Sequence, residues 1–139
     1  MRHVGFTGTQ RGMTEPQGLF VERYLGVAKA RPLAFHHGDC VGADAQAHMI
    51  AQALGIPVVL HPPSNDSKRA FCAAAEELPP LPYLQRNHAI VDASQVMLAT
   101  PGEAEEQLRS GTWATIRYSK RRGVTLYVVL PGGNWKRFP

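Results

Sequence analysis

Two cysteines in 139 residues, Cys40 and Cys72, are too few for a disulfide framework, and they form no CxxC pair. One bridge between them stays open on sequence alone, with free thiols expected in a cytosolic chain. Charge of one sign is also scarce. Fifteen basic residues stand against 11 acidic ones, a net charge of +4, which argues against a surface built to wrap a polyanion. Aromatics are few, at 8%. No apolar run approaches the roughly 20 residues that span a bilayer, and the N-terminus lacks the pattern of a signal peptide. The expectation is a cytoplasmic protein with no membrane partner. Neither GxxxxGK[ST] nor GxGxxG occurs, so P-loop and classical dinucleotide sites lose support.

What is present is an ordinary globular composition, 44% hydrophobic and 19% charged, of a length suited to one domain. Short apolar runs alternate with helical stretches. Strands are expected at Val4–Thr7, Pro32–His36, Ile56–Leu60, Gln95–Ala99 and Val124–Leu130. Helices are expected at Glu15–Ala30 with Thr14 as N-cap, Asp44–Leu54 closed by Gly55, Leu84–Val91 and Thr112–Arg122. The proline-rich stretch 61–82 reads as an irregular insert or lid with a short helix near Lys68–Glu77, and 131–139 as a tail. The α/β alternation predicts a single domain over 1–139. It is a Rossmann-like three-layer fold with a mostly parallel sheet of about five strands.

Three turns rich in Gly, Ser, Thr and Asp fall where such a sheet holds its ligand, at the C-terminal strand ends. The first, Thr7-Gly8-Thr9-Gln10-Arg11, offers hydroxyls and N–H donors, with Arg11 suited to a phosphate or base. The second, Gly38-Asp39-Cys40-Val41-Gly42-Ala43-Asp44, allows close backbone approach. Asp39 is placed to accept from a ribose hydroxyl or a base amine. Asp44 reads as a helix N-cap, with His48 one turn on. The third, Ser110-Gly111-Thr112, opens a helix and so presents free N–H groups to an anion. Arg86-Asn87 reads as a phosphate clamp. Trp113 serves either core or stacking, and Glu103, Glu105 and Glu106 form an acidic loop. His36, His37, Asp39, Cys40 and His48 match no common zinc spacing, so no metal is expected, nor a cofactor.

The order of these elements resembles the SLOG superfamily, which includes DprA/Smf, the LOG-type phosphoribohydrolases and the YpsA-like proteins. The closest likeness is to short stand-alone DprA/YpsA-like proteins. A G-x-D-x-x-A-H pattern matches Gly42-Ala43-Asp44-Ala45-Gln46-Ala47-His48. An R-N-x-x-I pattern matches Arg86-Asn87-His88-Ala89-Ile90, and S-G-[ST]-x-x-T matches Ser110 to Thr115. The resemblance implies a nucleotide or nucleotide-derived ligand at the Gly-rich edge. It also opens two alternatives, cleavage of a nucleotide N-glycosidic bond and DprA-like binding of single-stranded nucleic acid. LOG-type enzymes carry P-G-G-x-G-T-x-x-E, whose Glu serves catalysis. Here Thr115 stands at that position, which leaves Asp39 and Glu103 as the candidate carboxylates. The predicted ligand residues are Thr7, Gly8, Thr9, Arg11, Gly38, Asp39, Gly42, Arg86, Asn87, Ser110, Gly111 and Thr112. The 61–82 segment is a candidate surface for a homodimer.

Overall fold

A computed structural model describes all 139 residues. β1 (Arg2–Gly8) leads to α1 (Glu15–Ala28), β2 (Leu33–His37), α2 (Ala43–Ala53), β3 (Val58–Leu60) and a 3-10 turn at Asp66–Lys68. β4 (Glu76–Glu77), α3 (Tyr83–Asp92), β5 (Val96–Thr100), α4 (Gly111–Arg122), β6 (Thr125–Val129) and β7 (Trp135–Phe138) complete the chain. The sheet order is β4-β3-β2-β1-β5-β6-β7. Every pairing is parallel except β6 with β7. Successive strands step outward from β1 in one direction and from β5 in the other. The switch point therefore lies between β1 and β5, and a crevice opens beyond their C-terminal ends.

α1 and α2 cover one face over Phe6, Val21, Leu25, Phe35 and Leu98. α3 and α4 cover the other over Ile90, Met97, Ile116 and Leu126. α1 starts where expected: the Thr14 hydroxyl accepts from Gln17 N–H, and the Gln17 side chain returns to Thr14 N–H. α4, expected from Thr112, starts at Gly111 with Ser110 Oγ as its cap. One cap differs from expectation: α2 is entered at Gly42, not Asp44. Gly42 is required there because its φ is +87° and a Cβ would run into the Gln10 backbone.

The sheet has seven strands where about five were expected. The tail supplies β7. The stretch expected to be helical near Lys68–Glu77 instead leaves a 3-10 turn at Lys68 and runs irregularly, with Phe71 at φ +57°, into β4. Tertiary contacts outweigh the helix propensity of Ala73–Ala75 there. Arg69 bridges Asp39 and Glu77, and Asp39 accepts from Cys72 N–H through its other oxygen.

β2 sends adjacent histidines to opposite faces. His36 lies between His3 and His61, 2.8 Å from each, and His37 Nε2 meets His48 Nδ1 at 2.9 Å. Asp39 N–H donates to His37 Nδ1, so His37 carries its proton on Nε2 and gives it to His48. Burial lowers His36 to about 4, His61 to about 4 and His37 to about 3. The unfolded chain, with histidine near 6.5, binds more protons than the folded one below that pH, so acid removes stability. Burial raises Asp44 to about 6, which acts in the opposite sense as pH falls, but it is one group against three. The urea midpoint is expected to fall steadily from pH 6.5 to 4. His61→Gln should flatten that slope, and a midpoint independent of pH over this range would contradict the buried neutral rings.

Candidate functional site

The crevice at the switch point is a cavity of about 630 Å³. β1 ends in Thr7 and Gly8 and turns through Thr9, Gln10 and Arg11. The β2–α2 turn adds Gly38, Cys40 and Asp44, and the 61–82 segment adds Asn65, Ser67 and Lys68. α3 brings Tyr83, Arg86 and Asn87, and the loop into α4 brings Glu103, Ser110, Gly111 and Thr112. Ten of the twelve predicted ligand residues thus line one cavity. Asp39 and Gly42 do not. Gly42 holds the turn against Gln10. Asp39 is fully buried, its carboxylate engaged by Arg69 Nε at 2.7 Å and Cys72 N–H at 2.8 Å. Of the two candidate carboxylates, only Glu103 faces the cavity.

The turns meet the cavity with different chemistry. At the head of α4, Ser110 Oγ accepts from Trp113 N–H, and Ser110 C=O accepts from Ala114 N–H. The Gly111 and Thr112 N–H groups precede any intrahelical partner, and both residues line the cavity. The Thr115 hydroxyl donates to Gly111 C=O at 2.9 Å, so the residue standing in for a glutamate serves the helix backbone. Asp44 is buried and its Oδ2 accepts from Cys40 N–H; it braces the β2–α2 turn and makes no bond to His48. Trp113 is core, 7% exposed, so the stacking reading does not hold. Its Nε1–H reaches Glu103 Oε1 at 3.1 Å, while Glu103 Oε2 accepts from Arg11 at 2.6 Å.

Arg86 differs from the expected open clamp. It is 5% exposed, and its guanidinium donates to Gly38 C=O, to His61 C=O at 3.2 Å and to Asn87 Oδ1 at 2.7 Å. Its Nη2 also lies 3.5 Å from Cys40 Sγ. It borders the cavity as a pin between loops. Lys68, Ser67, Asn65 and Tyr83 were not singled out in the sequence. Lys68 sits in the proline-rich segment with no motif around it, so nothing local marked it.

Among the histidines and cysteines, His37, His48 and Cys72 have ligand atoms within 4.8 Å of one another. In this arrangement the His37 nitrogen facing His48 donates to it, and burial pushes the Cys72 thiol up to about 12. Both cysteines are free thiols. A second cavity, of about 750 Å³, lies between α1 and the β6–β7 edge. It is mainly apolar, lined by Phe20, Tyr24, Tyr127 and Trp135, and holds none of the predicted residues. No helix is long and apolar enough to cross a membrane.

No family model matches the chain, and no curated protein matches it in sequence. Solved structures match in shape. The molybdenum cofactor binding protein from the phototrophic bacterium Rippkaea orientalis superposes with a TM-score of 0.72 at 16% identity, over 93% of this chain and 76% of that one. DNA processing protein A (DprA) from Streptococcus pneumoniae gives 0.65 at 15% identity, over 92% of this chain and 50% of that one. DprA from Helicobacter pylori, described for its single-stranded DNA binding mode, gives 0.60 at 18% identity, over 91% and 64%. This chain therefore spans half of one DprA and under two-thirds of the other. The likeness is one of fold: this chain shares the Rossmann-like architecture of these proteins.

The pinning role of Arg86 has a measurable consequence. Arg86→Met strands two buried carbonyls and should cost on the order of 3 kcal/mol in urea unfolding. Arg11→Met breaks only an exposed pair and should leave the midpoint almost unchanged. Equal effects of the two substitutions would contradict the assignment.

Proposed function

We propose that this protein binds a small nucleotide or nucleotide-derived ligand in the switch-point cavity, with its phosphate on the first turn of α4. The observation that carries this reading is the meeting of two anion-suited turns in one cavity. The open N–H groups of Gly111 and Thr112 share it with Thr9 and Arg11. Asn87 supports the same floor, its Nδ2 lying 4.0 Å from where a Gly111 Cβ would stand. The volume, about 630 Å³, lies within the range for small-molecule sites.

A small ligand fits better than a nucleic-acid strand. The cavity's cations are one arginine paired with Glu103, one buried arginine already engaged, and Lys68, with Asp44 and Glu103 beside them. A strand-binding groove needs an excess of free cations and stacking faces. Binding is also favoured over cleavage. The Thr115 hydroxyl is spent on the helix backbone, and Asp39 is sealed away from the cavity.

Calorimetry with the four ribonucleoside monophosphates and with inorganic phosphate tests the reading. At least one nucleotide should bind saturably, and Gly111→Asp should weaken it tenfold or more. An aspartate in the first turn favours the helix, so the loss would not come from unfolding. No saturable binding by any nucleotide, or no change on Gly111→Asp, overturns the reading. Release of free base during incubation would move it to an N-glycosidase. Tight binding of an oligonucleotide with a steep salt dependence would move it to a strand binder.

A further inference from the structure

Resting on the nucleotide-binding reading, we infer that Glu103 is a specificity-determining residue that accepts hydrogen bonds from the ribose hydroxyls of the ligand. A carboxylate at an anion site repels the ligand's charge, so its placement needs a compensating role. Three features of its setting point to one. First, Glu103 is held from the core: buried Trp113 donates its Nε1–H to Oε1. A merely solvated glutamate would carry no such constraint. Second, Trp113 is the third residue of α4. The carboxylate is therefore tied to the same first turn, about 5.4 Å in rise, that presents the Gly111 and Thr112 N–H groups. Glu103 lines the same cavity as those groups, so the pentose, which follows the phosphate in a nucleotide, is the part of the ligand it would meet.

Third, each carboxylate oxygen accepts one bond in the chain, from Trp113 and from Arg11, and has a further lone pair to offer. Arg11 uses Nη2 on Glu103 and keeps the rest of its guanidinium fork for the phosphate. Gly102 leaves the room for this, since a Cβ there would collide with the Arg11 guanidinium. Arg11 and Glu103 then act as a matched pair, the cation toward phosphate and the anion toward hydroxyl donors. The ligand class is a ribonucleoside monophosphate rather than its deoxy form. A site that hydrogen-bonds a hydroxyl discriminates strongly against the analogue lacking it.

The test is calorimetry of whichever nucleoside monophosphate binds best, against its 2′,3′-dideoxy form and inorganic phosphate. The wild-type protein should prefer the ribose form at least tenfold. Glu103→Ala should reduce that preference to about twofold or less without weakening inorganic phosphate. Trp113→Phe keeps the core ring but frees Glu103, and should give an intermediate preference at unchanged phosphate affinity. Equal wild-type affinity for ribose and dideoxy forms overturns this inference and leaves the phosphate site standing. So does a preference that survives Glu103→Ala. Absence of binding by every nucleotide, whether or not phosphate binds, overturns both readings.

Discussion

The site depends on one buried cation. Arg86 is the only arginine sealed in the interior, and it joins three segments that are distant in sequence: the β2–α2 turn at Gly38, the end of β3 at His61 and its own helix α3. A buried guanidinium is tolerated only when its donors are satisfied, and here backbone carbonyls and Asn87 satisfy them. The cost of desolvation thereby becomes a geometric demand. Each loop must stay where its carbonyl meets Arg86, and the cavity floor is the result. An arginine that looks like a ligand clamp in the sequence acts instead on the loops that face the ligand.

A second constraint comes from β2, whose adjacent histidines project to opposite sides of the sheet. Each face of the strand thus carries a polar ring where a parallel strand normally carries an aliphatic one. Burial keeps these rings neutral, and pairing between imidazoles meets most of their hydrogen-bond needs. His48 Nε2 is left buried without a partner. The His37 tautomer follows from Asp39, whose backbone sits at φ +56° while its carboxylate holds Arg69 and Cys72. Asp39 is thus spent on bracing the β2–α2 turn, which is why it is lost to the ligand. Glu103 keeps its place at the cavity because the indole of Trp113 reaches it from below.

Much of this was legible in local chemistry. The Thr14 cap of α1 and the Ser110-Gly111-Thr112 turn act over a few residues, and short-range signals announce them; Gly42 is fixed by the Gln10 backbone, which no local signal shows. Ten of the predicted ligand residues reached one cavity because strand-end turns of a parallel sheet must converge at the switch point. The course of 69–77 was not legible: Ala73–Ala75 favour helix locally, and only contacts of Arg69 and Cys72 with Asp39 and of Arg69 with Glu77 hold the segment out of one. β7 was equally hidden, since an antiparallel edge strand is defined by the partner it finds.

The amino-acid sequence by itself determined the α/β alternation, the Thr14 start of α1 and the residue types that gather at the Gly-rich edge. These follow from periodicity and capping, which act along a few consecutive residues. Only the tertiary structure decided which charged groups remain free to act there. That outcome rests on long-range pairing: Arg86 engaged by carbonyls, Asp39 by Arg69, Glu103 aimed by Trp113. Burial and pairing depend on neighbours far apart in the chain, and no local pattern records them.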